Sequence, residues 1–144
     1  MQAAQNPIVI DYELSQLAKC LAALGDSWTK IGKAVEAEPL LREALGFREK
    51  KEPDEWETFH TKALLGGALL SQKKYDAAAP FLADGYRGMK AREAKIPQEQ
   101  QKVYLPEALE RLVQLYDAWG KPDEAAKWRQ ELEARRKTPE KKKD

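Results

Sequence analysis

The sequence predicts an all-α fold, a solenoid of about three stacked helical hairpins and six helices winding as a right-handed superhelix. Three observations predict it. A segment recurs three times at intervals near forty residues, the signature of a repeat array. Inside each copy large apolar residues fall every three or four positions, the stripe of an amphipathic helix. Each copy is also interrupted midway, at Lys30–Gly32, Gln72–Lys74 and Gly120–Lys121, where one helical pattern stops and another starts.

The copies run from Leu21 to Leu45, Lys62 to Tyr86 and Leu109 to Glu133. Superposed, they align Leu24 with Leu65 and Leu112, Trp28 with Leu69 and Tyr116, and Ala37 with Ala78 and Ala125. The offsets are therefore 41 residues (24 to 65) and 47 residues (65 to 112). Gly25 and Gly66 coincide, with Val113 in the third copy; Pro39 and Pro80 coincide, with Lys127 in the third. Small residues at one offset mark a close crossing of two helices. Val113 predicts a wider third hairpin, and Lys127 suits a terminal repeat whose outer face meets water.

Taken in order, the patterns place helices at about 11–29, 33–50, 55–72, 75–95, 99–119 and 122–136. Asp54 with Glu57 reads as a capping box ahead of Trp56 and Phe59. Pro122 fits a first helical turn, where a missing N–H costs nothing. Pro39 and Pro80 should delay or slightly kink the second helices of their hairpins. Pro106 either kinks the fifth helix or begins it. The domain plan is an N-terminal extension over 1–10, a repeat domain over 11–137 (repeats at about 11–50, 55–95 and 99–136) and a disordered basic tail over 138–144.

Composition narrows the function. With 42% hydrophobic and 34% charged residues the chain suits a thin, elongated helical body rather than a large globule. A net charge of +1 gives no general reason to expect nucleic acid as a partner. The charge is unevenly placed: residues 135–144 hold six bases and two acids, leaving the tail near +4 and the remainder near −3. No apolar run reaches the roughly 18 residues of a membrane helix, so no membrane partner is expected. The first ten residues lack the pattern of a signal peptide, and the lone Cys20 fits a reducing compartment. A cytoplasmic location is the expectation.

The paired leucine–glycine of the first helix and the later alanine of the second resemble tetratricopeptide (TPR) repeats over roughly residues 12–136. The longer period, with Glu36–Leu45 and Tyr75–Tyr86, resembles the kinesin-light-chain subtype. The stretches Glu55–Leu82 and Leu105–Glu133 also resemble the repeats that follow the kinase domain in bacterial eukaryote-like serine/threonine kinases. That resemblance implies a recruitment module whose kinase domain lies outside this chain. The glycine-rich loop, His-Arg-Asp and Asp-Phe-Gly elements of a kinase are absent from the sequence.

The chain is expected to be a non-catalytic scaffold with no cofactor and no metal. His60 and Cys20 sit on first helices of different copies, and one His with one Cys cannot supply four zinc ligands. In a TPR-like stack the first helices line a concave groove. The candidate binding residues are Lys19, Asp26 and Lys30 in copy one, His60, Gly67 and Ser71 in copy two, and Glu107, Glu110, Gln114 and Asp117 in copy three. A face running from mixed charge to acidic suits a peptide of basic character. The aromatics Trp28, Tyr75, Phe81, Trp119 and Trp128 are expected in the core, with Trp56 and Phe59 part-exposed. Three copies are few for an array, so self-association through an exposed repeat end is also expected.

Overall fold

The computed structural model describes residues 7–137, and among them every regular element is helical. They are α1 (Pro7–Lys30), α2 (Ala34–Lys51), α3 (Trp56–Ser71), α4 (Tyr75–Ala91), α5 (Gln98–Ala118) and α6 (Pro122–Lys137), with a 3-10 turn at Glu93–Lys95. Successive pairs form hairpins, and each hairpin packs on the next through α2 against α3 and α4 against α5. The helix start lies four residues ahead of the expected one, since Pro7 opens α1 within the span assigned to an N-terminal extension. The basic tail assigned to 138–144 lies outside the described residues.

The three hairpin turns share one hydrogen-bond pattern. Lys33 N–H donates to the Trp28 carbonyl at 2.7 Å, Lys74 N–H to Leu69 at 3.0 Å and Lys121 N–H to Tyr116 at 2.8 Å. A second bond spanning fewer residues accompanies each, from Gly32 N–H to the Thr29 carbonyl, Lys73 to Leu70 and Gly120 to Asp117. This is the Schellman closure of a helix, which requires one left-handed residue after the C-cap. Gly32 (φ 88°) and Gly120 (φ 75°) supply it without steric cost, whereas the middle hairpin uses Lys73 at φ 62°.

Helix crossing within a hairpin is set by a glycine facing a leucine. A Cβ on Gly25 would stand 2.6 Å from Cγ of Leu41, and one on Gly66 would stand 2.6 Å from Cγ of Leu82. Leu41 and Leu82 are fully buried. In the third hairpin the corresponding pair is Val113 with Arg129, and Arg129 turns outward to Asp117 at 2.7 Å. The core then continues through Leu65, Leu69, Tyr86, Leu105, Leu109 and Leu112.

Several local expectations change. The capping box does not form: Glu55 is the N-cap of α3 without a side-chain bond, and Asp54 faces Arg92 instead. The Thr58 hydroxyl donates to the Glu52 carbonyl and ties the turn down from inside. Pro39 and Pro80 do not delay their helices, because each lies at the sixth position with its ring exposed to water. Pro106 does not start α5, which begins at Gln98, where the Gln101 amide caps the preceding turn by donating to the Glu93 and Ile96 carbonyls. The aromatics rim the core rather than fill it: Trp28, Trp56, Tyr75, Phe81, Trp119 and Trp128 are half-buried, and Tyr86 is the fully buried ring. Phe59 is covered by the Arg92 guanidinium at 4.2 Å from its centroid.

Filling the glycine–leucine crossing should be costly. Gly66→Val is expected to destabilise the fold by about 1–3 kcal/mol through overpacking against Leu82, read as a lowered midpoint in urea unfolding. An unchanged midpoint would show that the crossing can spread at no cost.

Candidate functional site in the cleft of the first helices

α1, α3 and α5 lie side by side, and their shared face is closed over by charge. Arg111 of α5 reaches across α3 to Asp26 of α1 at 3.1 Å, and also holds Glu107 on its own helix at 3.2 Å. Lys30 of α1 pairs with Asp26 at 3.1 Å and with Glu107 at 3.6 Å. The four side chains form a ring of alternating sign. Hydrogen bonding to Asp26 holds the Lys30 ammonium above its ordinary value, against burial pulling it down.

Gly67 explains why the ring can close. A Cβ there would lie 2.9 Å from Nε of Arg111, so the guanidinium stem occupies the space that a side chain would need. The space left by the missing side chain of Gly67 is filled by Arg111. Beside the ring lies a cleft of about 390 Å³. Four of the expected residues line it, Lys30, Gly67, Ser71 and Gln114, with Lys73 and Arg111 added. Lys73 is exposed and has no ion-pair partner among the described residues.

The other expected residues fall elsewhere. Asp26 and Glu107 belong to the ring that walls the cleft. Glu110 pairs with Arg136 and Asp117 with Arg129, both on α6, so these two acids are neutralised by the last helix. Lys19 is exposed on α1, outside the cleft lining. His60 is stacked on Tyr104 with centroids 3.8 Å apart and lies 6.2 Å from Trp56. Cys20 is exposed on α1.

Arg111 and Lys73 are absent from the sequence-based set. The spacing of Glu107 and Arg111 signals a helical ion pair, but the reach to α1 depends on how tightly the hairpins curve. Lys73 could have been found by noticing that Gly32 and Gly120 hold its place in the other turns. Among the described residues, no helix is long and apolar enough to cross a membrane, and no group of three His, Cys, Asp or Glu side chains is placed to hold a metal ion.

His60 has a pH signature. Burial against the rings, aided by the nearby Arg111, Arg48 and Lys30 charges and opposed by Asp26, pushes its imidazole down to about 3. A folded value below the unfolded 6.5 means that folding favours the neutral ring. Stability from this group is complete above pH 6.5 and falls as the pH drops from 6.5 towards 3. The Glu38 and Glu131 carboxyls, both held below 4.5, contribute only at lower pH. Urea midpoints between pH 6.5 and 4.5 are therefore expected to decline in the native chain and to stay flat in His60→Gln. Parallel curves would remove His60 as the cause.

No family model matches the chain, and no curated protein matches it. Among solved structures it is similar to the crystal structure of the TPR domain of Arabidopsis FLU. The two share 21% identity with a TM-score of 0.70, over 87% of this chain and 98% of that one. At this identity the likeness speaks for the fold. Together with the six helices and their repeated turns, it establishes a TPR-like stack of helical hairpins covering most of the chain.

Proposed function

We propose that the chain is a non-catalytic scaffold that takes an extended segment of a protein partner into the cleft beside the ionic ring. The observation that carries this reading is Lys73. It occupies a left-handed position at φ 62° where the other two hairpins have glycine, and it lines the cleft with its ammonium unpaired among the described residues. A non-glycine residue there costs about 1–2 kcal/mol. Strain of this kind is found where a side chain has a task that outweighs it.

The chemistry of the cleft reverses the expected charge of the partner. Glu110 and Asp117 are matched by Arg136 and Arg129, and the ring around Arg111 balances its own charges. Lys73 is then the surplus charge, with the Ser71 hydroxyl and the Gln114 amide beside it. The segment that fits carries a carboxylate. Lys30, Gly67, Ser71 and Gln114 act as the contact surface, and Asp26 and Glu107 hold it in shape. The resemblance of Glu55–Leu82 and Leu105–Glu133 to kinase-attached repeats motivates a second reading, in which the array recruits substrates to a serine/threonine kinase carried on the same polypeptide. Phosphorylation of the bound partner in a holo-complex, lost when the cleft is blocked, tests that version.

Lys73→Gly separates the two effects of the residue. It is expected to raise unfolding stability by about 1 kcal/mol while weakening capture of acidic peptides roughly tenfold, about 1.4 kcal/mol. Fluorescence anisotropy with labelled acidic and basic peptides reads the second quantity. Tighter folding with unchanged peptide binding would sink the assignment of the cleft.

A further inference from the structure

The outer face of α1 and the turn that follows it carry an apolar stripe that the other described residues leave largely uncovered. Leu14, Leu17, Leu21, Leu24, Trp28 and Ile31 follow one another at spacings of three and four residues, the seam of a helix that packs along another helix. Leu21 and Trp28 are half-buried on the molecule's own core. Leu14, Leu17, Leu24 and Ile31 stand in water at 39, 50, 43 and 66% exposure.

The repeat itself says that this face is built for burial. At the offsets that align the hairpins, Leu17 corresponds to Thr58 and Leu105, and Leu24 to Leu65 and Leu112. Those four counterparts are at most 1% exposed, because α3 packs on α2 and α5 packs on α4. No helix precedes α1 among the described residues, so the equivalent surface is left open at this end.

We infer that the occupant is a second copy of this chain, with the two α1 helices antiparallel about a two-fold axis. Two features select that occupant. The other end of the array cannot serve, since α6 turns Lys127, Gln130 and Glu133 outward and offers no apolar face to a neighbour's α1. A head-to-tail stack is thereby disfavoured, and the closed isologous pairing remains. Charge is also arranged for antiparallel contact. Glu13 flanks the stripe near the start of α1 and Lys33 follows its end, both exposed and neither ion-paired among the described residues. With Leu21 of one copy level with Leu24 of the other, Leu14 meets Ile31, Leu17 meets Trp28, and each Glu13 comes beside the Lys33 of the second copy.

Cys20 reports on this arrangement. It is exposed on the flank of the stripe, and in the antiparallel register the two thiols are displaced by about 8 Å along the axis at the helical rise. Multi-angle light scattering should give a dimer for the native chain, and a short bismaleimide should join the two Cys20 residues. Leu17→Glu/Leu24→Glu should be monomeric and should lose the cross-link, with helical circular dichroism and binding of acidic peptides retained, since neither side chain lines the cleft. Glu13→Lys should weaken the dimer at least several-fold, and Glu13→Lys/Lys33→Glu should restore it. A native chain monomeric at about 100 μM, above the range of specific interfaces, overturns the inference. So does a dimer indifferent to the leucine substitutions, or a preceding segment of the same polypeptide found seated on the stripe.

Discussion

The approach of the two helices within a hairpin is the constraint from which the rest of this structure follows. At Gly25 and Gly66 the first helix has no Cβ, and the leucine of the second helix (Leu41 or Leu82) lies within van der Waals reach of the backbone. That contact fixes how far apart the helices of a hairpin stand. It thereby fixes how the next first helix settles on the previous second helix. Two such steps bring α1, α3 and α5 onto one face, close enough for Arg111 to span from α5 to α1. Overlapping atoms cannot be screened or solvated away, so this packing constraint dominates softer effects such as the exposed ion pairs on α6, each worth about 0–1 kcal/mol.

The ionic ring is better understood as a fastener for shape than as a reservoir of stability. Lys30 is largely exposed, and its pairs with Asp26 and Glu107 are weak for the same reason as other surface pairs. Arg111 differs: its side chain is 13% exposed and satisfies two carboxylates from two helices. Losing Arg111 would leave Asp26 and Glu107 with only the largely exposed Lys30 between them. The ring thus ties α5 to α1 across α3 and defines one wall of the cleft.

Much of the fold was legible because it rests on short-range rules. The three-and-four spacing, the turn residues and the shared offsets predict helices whose ends differ from the observed ones by a few residues, and the glycines mark the crossings directly. What failed were inferences that needed to know which distant group would compete. Asp54 and Glu57 have the spacing of a capping box, yet Arg92 draws Asp54 away and Thr58 satisfies the turn through Glu52. Glu110 and Asp117 lie on the first helix of the third copy as expected, but the arginines opposite them belong to α6. Of the site, Lys30, Gly67, Ser71 and Gln114 were within reach of a helical-wheel argument. Arg111 was not, since its target lies 85 residues away.

Lys73 connects these levels. The three hairpin turns are the same piece of geometry written three times, and two of them use the residue that geometry favours. Agreement between local preference and global fold is the ordinary condition of a folded protein, and its violations concentrate where a protein does something besides fold. Here the violation is confined to one side chain, in a turn whose hydrogen bonds are otherwise intact. The strained residue is also the cationic one, and the turn that holds it opens onto the cleft. A mere tolerance of poor sequence would leave the misfit equally at home in any of the three turns. Its presence in the middle hairpin, between Ser71 and the ring around Arg111, ties the left-handed non-glycine residue among the described residues to a cleft that all three first helices line.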